Sequence, residues 1–469
     1  MYYKVPISVK HSNEESACSL TVRFTVRQGL SKGAVIHTLD YLIIIMILSG
    51  FVAYGILQSF YNRTASDYFI GNRRVPWSVA MFSIVATETS VLTFVSIPGL
   101  AYREDWFFLQ IALGYIIGRI LVSVLFLPKY FESGIISIYE VVGRRFGPGM
   151  QKSASLVFLI TRILADGVRF LSTGVVVQVV TGWPLWVAIC LIGGVTLVYT
   201  LLGGIRTILW VDSFQFVLYL LGAIISIVFL VNHIHPDAWE AFRQIVAAGK
   251  TRIFHFDGVF LFDVRTASSA IIGGMVLSLA SHGVDHMMVQ RALACRNLKS
   301  AQRAMIGSGI FVFVQFMLFL LVGSLIYIYY NGAGMETDRE FAFFIVNELP
   351  VGLKGLLLAG VLGAAMSTLS SSINSLASSF MTDWLKSRVT LRLSQAVSFV
   401  FAAIVTSVAL FFDESDNAVI MVGLEIASFT YGGLLGLFLL ARGDKKYNTP
   451  SLVAGFAGSL LTVAALKHL

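Results

Sequence analysis

The chain has 469 residues, is 57% hydrophobic and only 13% charged, and carries a formal net charge of +8. Soluble domains carry about 25% charged residues, so this composition excludes an ordinary soluble enzyme and predicts an all-α protein that crosses a lipid bilayer many times. The positive balance calls for no nucleic-acid partner, because Lys and Arg collect at the cytoplasmic ends of membrane helices. Cys18, Cys190 and Cys295 are too few and too scattered for a disulfide framework or a metal cluster and read as small apolar groups.

Residues 1–38 are polar, mixed in charge and without a cleavable apolar core; they are expected to form an external arm rather than a signal peptide. Apolar runs follow near 39–60, 74–100, 105–131, 151–181, 184–203, 207–232, 267–291, 304–331, 351–384, 389–412, 416–441 and 448–467. Each is long enough to cross a bilayer, for which roughly 20 residues suffice. Arg73, Arg74, Arg144, Arg145, Lys152, Arg206, Arg291, Arg296, Lys386, Arg442 and Lys445 fall in alternate connections, and Glu104, Asp105, Glu336, Asp338, Asp413 and Glu414 in the others. The positive-inside rule places the basic set in the cytoplasm and both chain ends outside. The 233–266 connection, with His233, His235, Trp239 and Phe242, is expected to hold a short interfacial helix with its histidines at the surface.

The second run is interrupted by Ala86-Thr87-Glu88-Thr89-Ser90, and Pro98-Gly99 is expected to break its outer end. A carboxylate at mid-membrane costs several kcal/mol unless neutral, paired or facing water. Hydroxyl and β-branched residues around Glu88 suit a local unwinding whose freed carbonyls bind a cation; an ordinary helix with a protonated Glu is the alternative. Gln110 is a polar residue of the third run. The fourth carries Arg162, Asp166 and Arg169, in which Arg162 and Asp166 form an i,i+4 pair. One of these arginines is a candidate clamp for a solute carboxylate, whose geometry the guanidinium fork matches; simple neutralisation by Asp166 is the alternative. Asp212 opens the sixth run, either as an interfacial Asp or as a cation ligand. Glu425 is a further carboxylate, in the eleventh.

The ninth run reads GVLGAAMSTLSSSINSLASSFMT over 360–382. Ser367, Ser371, Asn374 and Ser378 share one helical face, with Thr368, Ser372 and Ser375 beside them. Such a stripe serves either close helix packing or a hard monovalent cation such as Na⁺, for which hydroxyl and carbonyl oxygens are suitable ligands.

These segments, with Asp67-Tyr68-Phe69, Arg145-Phe146-Gly147, Tyr199 with Gly203-Gly204, Trp210-Val211-Asp212 with Gln215, and Asp285 with Gln290-Arg291, together resemble the sodium:solute symporter family from about residue 39 onward. The resemblance implies a leucine-transporter-type core of two inverted five-helix repeats, 74–232 and 267–441, with 39–60 as a leading helix and 448–467 as a trailing one. It implies a main sodium site made by the carbonyls of Ala86, Thr89 and Ala364 and the hydroxyls of Ser367 and Thr368. A second cation site would comprise Asp212, Ser367, Ser370 and Ser371. Solute would bind beside the unwound segment, at Glu88, Ser90 and Thr93, with Gln110 and either Arg162 or Arg169, and with apolar walls from Phe94 and Phe170. Glu88 departs from members that carry a neutral residue there.

The function expected is sodium-driven uptake of a small organic solute, namely a sugar or sugar acid, a monocarboxylate or an amino acid. No organic cofactor is expected, and a single chain suffices. A proton-coupled transporter of the same fold, or a channel or sensor built on it, is the alternative.

Overall fold

A computed structural model describes residues 37–466 apart from 261, 387–388, 412–416, 444 and 446. The expected arm, and Asp413, Glu414 and Asp416, lie outside the described residues, as does the side chain of Glu425. The described part is helical throughout its named elements. In chain order these are α1 (Thr38–Ser59), α2 (Ala65–Ile70), α3 (Trp77–Glu88), α4 (Val91–Arg103), α5 (Phe108–Leu125), α6 (Leu127–Ser133), α7 (Tyr139–Phe146), α8 (Pro148–Thr181) and α9 (Leu185–Ile234). They continue as α10 (Ala238–Ala247), α11 (Ala267–Gly283), α12 (His286–Leu293), α13 (Leu298–Tyr329), α14 (Glu340–Glu348), α15 (Leu353–Phe380), α16 (Leu391–Phe411), α17 (Asn417–Arg442) and α18 (Thr449–Leu466). The short helix expected in the 233–266 connection is α10, with Asp237 capping its first turn.

Among the described residues, six runs are long and apolar enough to cross a membrane: α1, α5 with α6, α9, α13, α15 with its extension to Leu385, and α16. Two bent pairs qualify when each is taken as one span, α3 with α4 at 63° and α11 with α12 at 65°. Each half of the chain thus contains a membrane helix snapped in its middle. A continuous helix of 50 residues would be about 75 Å long, far more than a bilayer of about 30 Å. At Gly204, with φ 60 and ψ −163, α9 is broken into two membrane-length arms. These correspond to the two separate runs read from the sequence.

Pro98 does not break its helix: α4 runs from Val91 to Arg103 through it. The expectation failed because proline removes one amide donor and bends a helix without ending it where neighbours re-satisfy the freed groups. Here Gly323 of α13 brings its backbone directly against the Pro98 carbonyl, with no room for a side chain.

α15 is the axis of the bundle. Every residue from Leu357 to Ser379 on it is buried, and it packs against α1, α3, α8, α9 and α12. Its amino end is fixed by Asp40 of α1, whose carboxylate accepts the amides of Gly352 at 2.7 Å and Gly355 at 2.8 Å. A carboxylate at a helix start satisfies unpaired amides and complements the dipole. α5 and α11 approach so closely that neither Gly114 nor Gly274 has room for a methyl group, the small-residue contact that membrane helices use for tight packing.

Candidate functional site

The first break is local chemistry made visible. α3 ends at Glu88, Thr89 leaves the helical region at φ −83 and ψ 88, and Ser90 caps α4 through Thr93 N at 3.4 Å. The Ser90 amide turns to the Glu88 carbonyl at 3.1 Å, where an unbroken helix would send it to Ala86. The Ala86 and Thr89 carbonyls therefore sit at a frayed helix end. Thr87 crosses to α15, its hydroxyl 3.4 Å from Ser367 Oγ and 3.2 Å from Ser371 Oγ. Thr368, the next residue along, has a buried hydroxyl with no protein partner among the described residues. A buried orphan hydroxyl costs about 1–3 kcal/mol. The donor set here is carbonyls and hydroxyls, which suits a hard monovalent ion.

Glu88 is paired. Its carboxylate accepts from Nη2 of Arg119, a fully buried residue of α5, and His282 Nε2 of α11 stands 3.8 Å away. Arg119 Nη1 donates to Ser308 Oγ of α13 at 2.7 Å. Thr89 is braced from α13 as well, by Gln315 Nε2 at 2.8 Å. Neither arginine of α8 pairs with Glu88 among the described residues. Arg162 of α8 instead meets Asp166 at 3.3 Å, Tyr431 Oη at 3.1 Å and the Asp285 carboxylate. Arg169 shares Asp166 at 3.5 Å and keeps 27% of its side chain exposed.

Of the other solute candidates, Ser90 and Thr93 are half-buried, their hydroxyls 3.4 Å apart. Gln110 is fully buried and committed to the 250–266 segment: its amide donates to Arg265 O at 3.0 Å and accepts from His255 N at 3.3 Å. Phe94 is walled in by Tyr219, Phe319 and Phe341, and Phe170 is buried against Gly193.

Asp212 is fully buried on the second arm of α9 and accepts from Ser83 Oγ at 2.6 Å and Thr87 Oγ1 at 3.4 Å. It is enclosed by protein on every side. Ser370 Oγ turns back to the Ser367 carbonyl of its own helix at 3.1 Å. Arg291, assigned from the sequence to a cytoplasmic loop, is fully buried in α12, with Nη2 3.7 Å from Asp212 Oδ2. It lies on the second limb of a bent pair, where a polar run imitates a loop.

The sequence reading passed over Arg119 and gave Arg291 no place near Asp212. The signal for Arg119 was present: a lone guanidinium in the middle of an apolar run has the same cost as Glu88 and must find an opposite charge.

The profile of the Sodium:solute symporter family matches residues 68–457. The chain is 28% identical over 449 residues to the sodium/sialic acid symporter SiaT of Proteus mirabilis, covering 92% of this chain and 90% of that one. It is 26% identical to the human sodium/iodide cotransporter, covering 85% of this chain and 64% of that one. Its fold superposes with a TM-score of 0.83, at 27% identity and 92% coverage of both chains, on the substrate-bound outward-open structure of a Na⁺-coupled sialic acid symporter. The architecture is the all-helical leucine-transporter type, and the activity is sodium-coupled symport rather than catalysis. With a profile match over most of its length, and with broken helices delivering carbonyls to a hydroxyl-lined helix, this chain belongs to the sodium:solute symporter family.

Proposed function

We propose that sodium binds between the carbonyls of Ala86, Thr89 and Ala364 and the hydroxyls of Ser367 and Thr368, and drives uptake of a small organic acid, a sugar acid first among them. The observation that carries the ion site is the buried, unpartnered hydroxyl of Thr368, next along α15 from the hydroxyl that meets the frayed end of α3. The solute class rests on Arg169: Arg162 is saturated by two carboxylates, and Arg169 alone of the pair keeps exposed surface and a loose partner. Ser90 and Thr93 add hydroxyl contacts for a polyol. Glu88, locked to Arg119, stands as a wall of fixed charge beside them.

Sodium falling through 100 mV releases about 2.3 kcal/mol per charge, enough for roughly fiftyfold accumulation at about 1.4 kcal/mol per decade. Alternating access follows from rocking of the two inverted repeats, 74–232 and 267–441, about a site built within one chain. The loops sort into two sets of partners. Arg103 with Asp338 and Glu340, and His255 with Asp105, form one; Arg145 with the Lys445 carbonyl, and Lys386 with Gln151, form the other. The first set is read as external and the second as cytoplasmic; Asp40 near the start of α1, bound to Gly352 and Gly355 at the start of α15, then lies on the side of the first set, which supports an external amino terminus.

The test is thermal stabilisation of the purified protein by a panel of sugar acids, monocarboxylates, neutral sugars and amino acids, in NaCl against KCl. A sugar acid that stabilises only in NaCl, with the effect lost in Ser367→Ala, is the expected result. Stabilisation equal in both salts moves the coupling to protons, and a neutral sugar as the sole stabiliser removes Arg169 from the solute site.

A further inference from the structure

Asp212 sits among hydroxyls and one guanidinium, that of Arg291. Arg291 Nη2 donates to Thr87 Oγ1 at 2.6 Å and to Ser371 Oγ, and lies 3.7 Å from Asp212 Oδ2. Arg291 Nε donates to Ser83 Oγ at 3.1 Å, and Ser83 in turn donates to Asp212 at 2.6 Å. Nη1 closes on the Met287 carbonyl of its own helix. One side chain therefore ties α12, the second limb of the second bent pair, to α3, α9 and α15. Both Arg291 and Asp212 are fully buried.

A sodium ion held by Asp212, Ser367 and Ser371 needs their oxygens to converge on one point at roughly 2.4 Å, the range of hard oxygen ligands. Arg291 has already taken Ser371 and stands beside the same carboxylate oxygen. Two like charges in a buried, water-poor site repel strongly. Asp212 Oδ1 has no protein hydrogen-bond partner among the described residues, so the carboxylate offers an arriving ion a first ligand before the guanidinium gives way.

We propose that the Arg291 guanidinium and a sodium ion are alternative occupants of the Asp212 site, so that arrival of the ion there unfastens α12 from α3 and α15. The inference rests on α15 being the sodium-binding helix, and not on the ligands of the main site. It makes Arg291 a positioning residue: it holds the second bent helix in place until a mobile cation relieves Asp212 of its fixed one. Sodium entry and movement of the second repeat are then one event.

The test is radiosodium binding to the purified full chain by equilibrium dialysis against KCl. Arg291→Gln removes the competing charge and is expected to bind sodium at Asp212 with an apparent affinity at least about tenfold above wild type, because apparent affinity falls with the fraction of chains whose site is open. Adding Asp212→Asn cancels that gain. Thr368→Val, which alters the main site alone, leaves the gain in place, so loss of the main-site reading and loss of the exchange are separate results. Sodium binding to Arg291→Gln no tighter than wild type overturns the exchange. A second readout needs no Arg291 variant: in wild type, amide hydrogen exchange across residues 286–293 is expected to be faster in NaCl than in KCl, with the difference absent in Asp212→Asn. Equal or slower exchange in NaCl overturns the proposal as well.

Discussion

Glu88 and Arg119 form a buried ion pair across the first helix break, the carboxylate 17% exposed and the guanidinium fully enclosed. The pair closes the break from the α5 side, while Ser308 accepts from the other terminal nitrogen, Nη1. Removing one partner of such a pair leaves a bare buried charge and costs about 3–5 kcal/mol, whereas replacing both is far milder. Arg119→Gln is therefore expected to lower the melting temperature sharply, and Glu88→Gln with Arg119→Gln to recover most of the loss. Double-mutant thermal melts in KCl measure this; additive losses from the two changes would mean that the pair is not coupled in the folded protein.

Thr368→Val gives a prediction of unusual sign. Its hydroxyl is buried and unpartnered among the described residues, so exchanging it for a methyl of similar shape removes a desolvation cost of about 1–3 kcal/mol. In KCl the variant is expected to be as stable as wild type or more so. In NaCl it is expected to lose the sodium-dependent stabilisation. A variant destabilised equally in both salts would show that Thr368 packs and does not bind.

The sequence made the broken helix and the hydroxyl stripe legible because both violate the rule that membrane interiors are apolar, and such violations are local. It did not reveal the pairings. Glu88 had several arginines within conceivable reach, and the packing of α5 on α13, where Gly309 makes room for the Arg119 side chain and Ser308 accepts from it, decides for Arg119. Arg291 was misplaced for a related reason. Asp285-His286 to Gln290-Arg291 has the composition of a loop, and its burial follows from α12 being the inner limb of a helix bent by 65°. Gln110, read as a solute contact, is spent on the 250–266 segment, a commitment between residues some 145–155 positions apart that periodicity does not encode.

Arg162 and Arg169 are expected to separate cleanly. Arg162 is enclosed by Asp166, Asp285 and Tyr431, so Arg162→Gln leaves Asp285 uncompensated and is expected to fold poorly. Arg169→Gln loses one long contact to Asp166 and is expected to change stability by less than about 1 kcal/mol, while solute-dependent stabilisation in NaCl falls at least about tenfold in apparent affinity, as loss of a charge-assisted contact of about 1.5–3 kcal/mol requires. Unaltered solute affinity in a well-folded Arg169→Gln protein would take the anion clamp away from α8.

Gly204 tests whether the break in α9 is built into the backbone. Its φ of 60 with ψ of −163 lies in a region open essentially to glycine alone, and a methyl there would stand 2.8 Å from the Tyr68 carbonyl. Tyr68 is itself fixed, its hydroxyl donating to Thr200 O at 3.3 Å and Ser398 Oγ at 3.2 Å, so it has nowhere to retreat. Gly204→Ala is expected to cost about 1–3 kcal/mol for the backbone alone and to depress transport more than it depresses folding, since the two arms of α9 bring Tyr199, whose hydroxyl donates to the Met366 carbonyl, and Asp212, linked through Thr87 to Ser367 and Ser371, to the same stretch of α15. Gly50→Ala in α1 is the control: no atom lies within 4 Å of the added methyl, and in a helix interior alanine is favoured by roughly 1 kcal/mol. Thermal melts of the two variants side by side decide it. If both are neutral, the turn at Gly204 is a soft hinge that a side chain can follow, and the rigid separation of the two arms must be sought in packing rather than in the glycine.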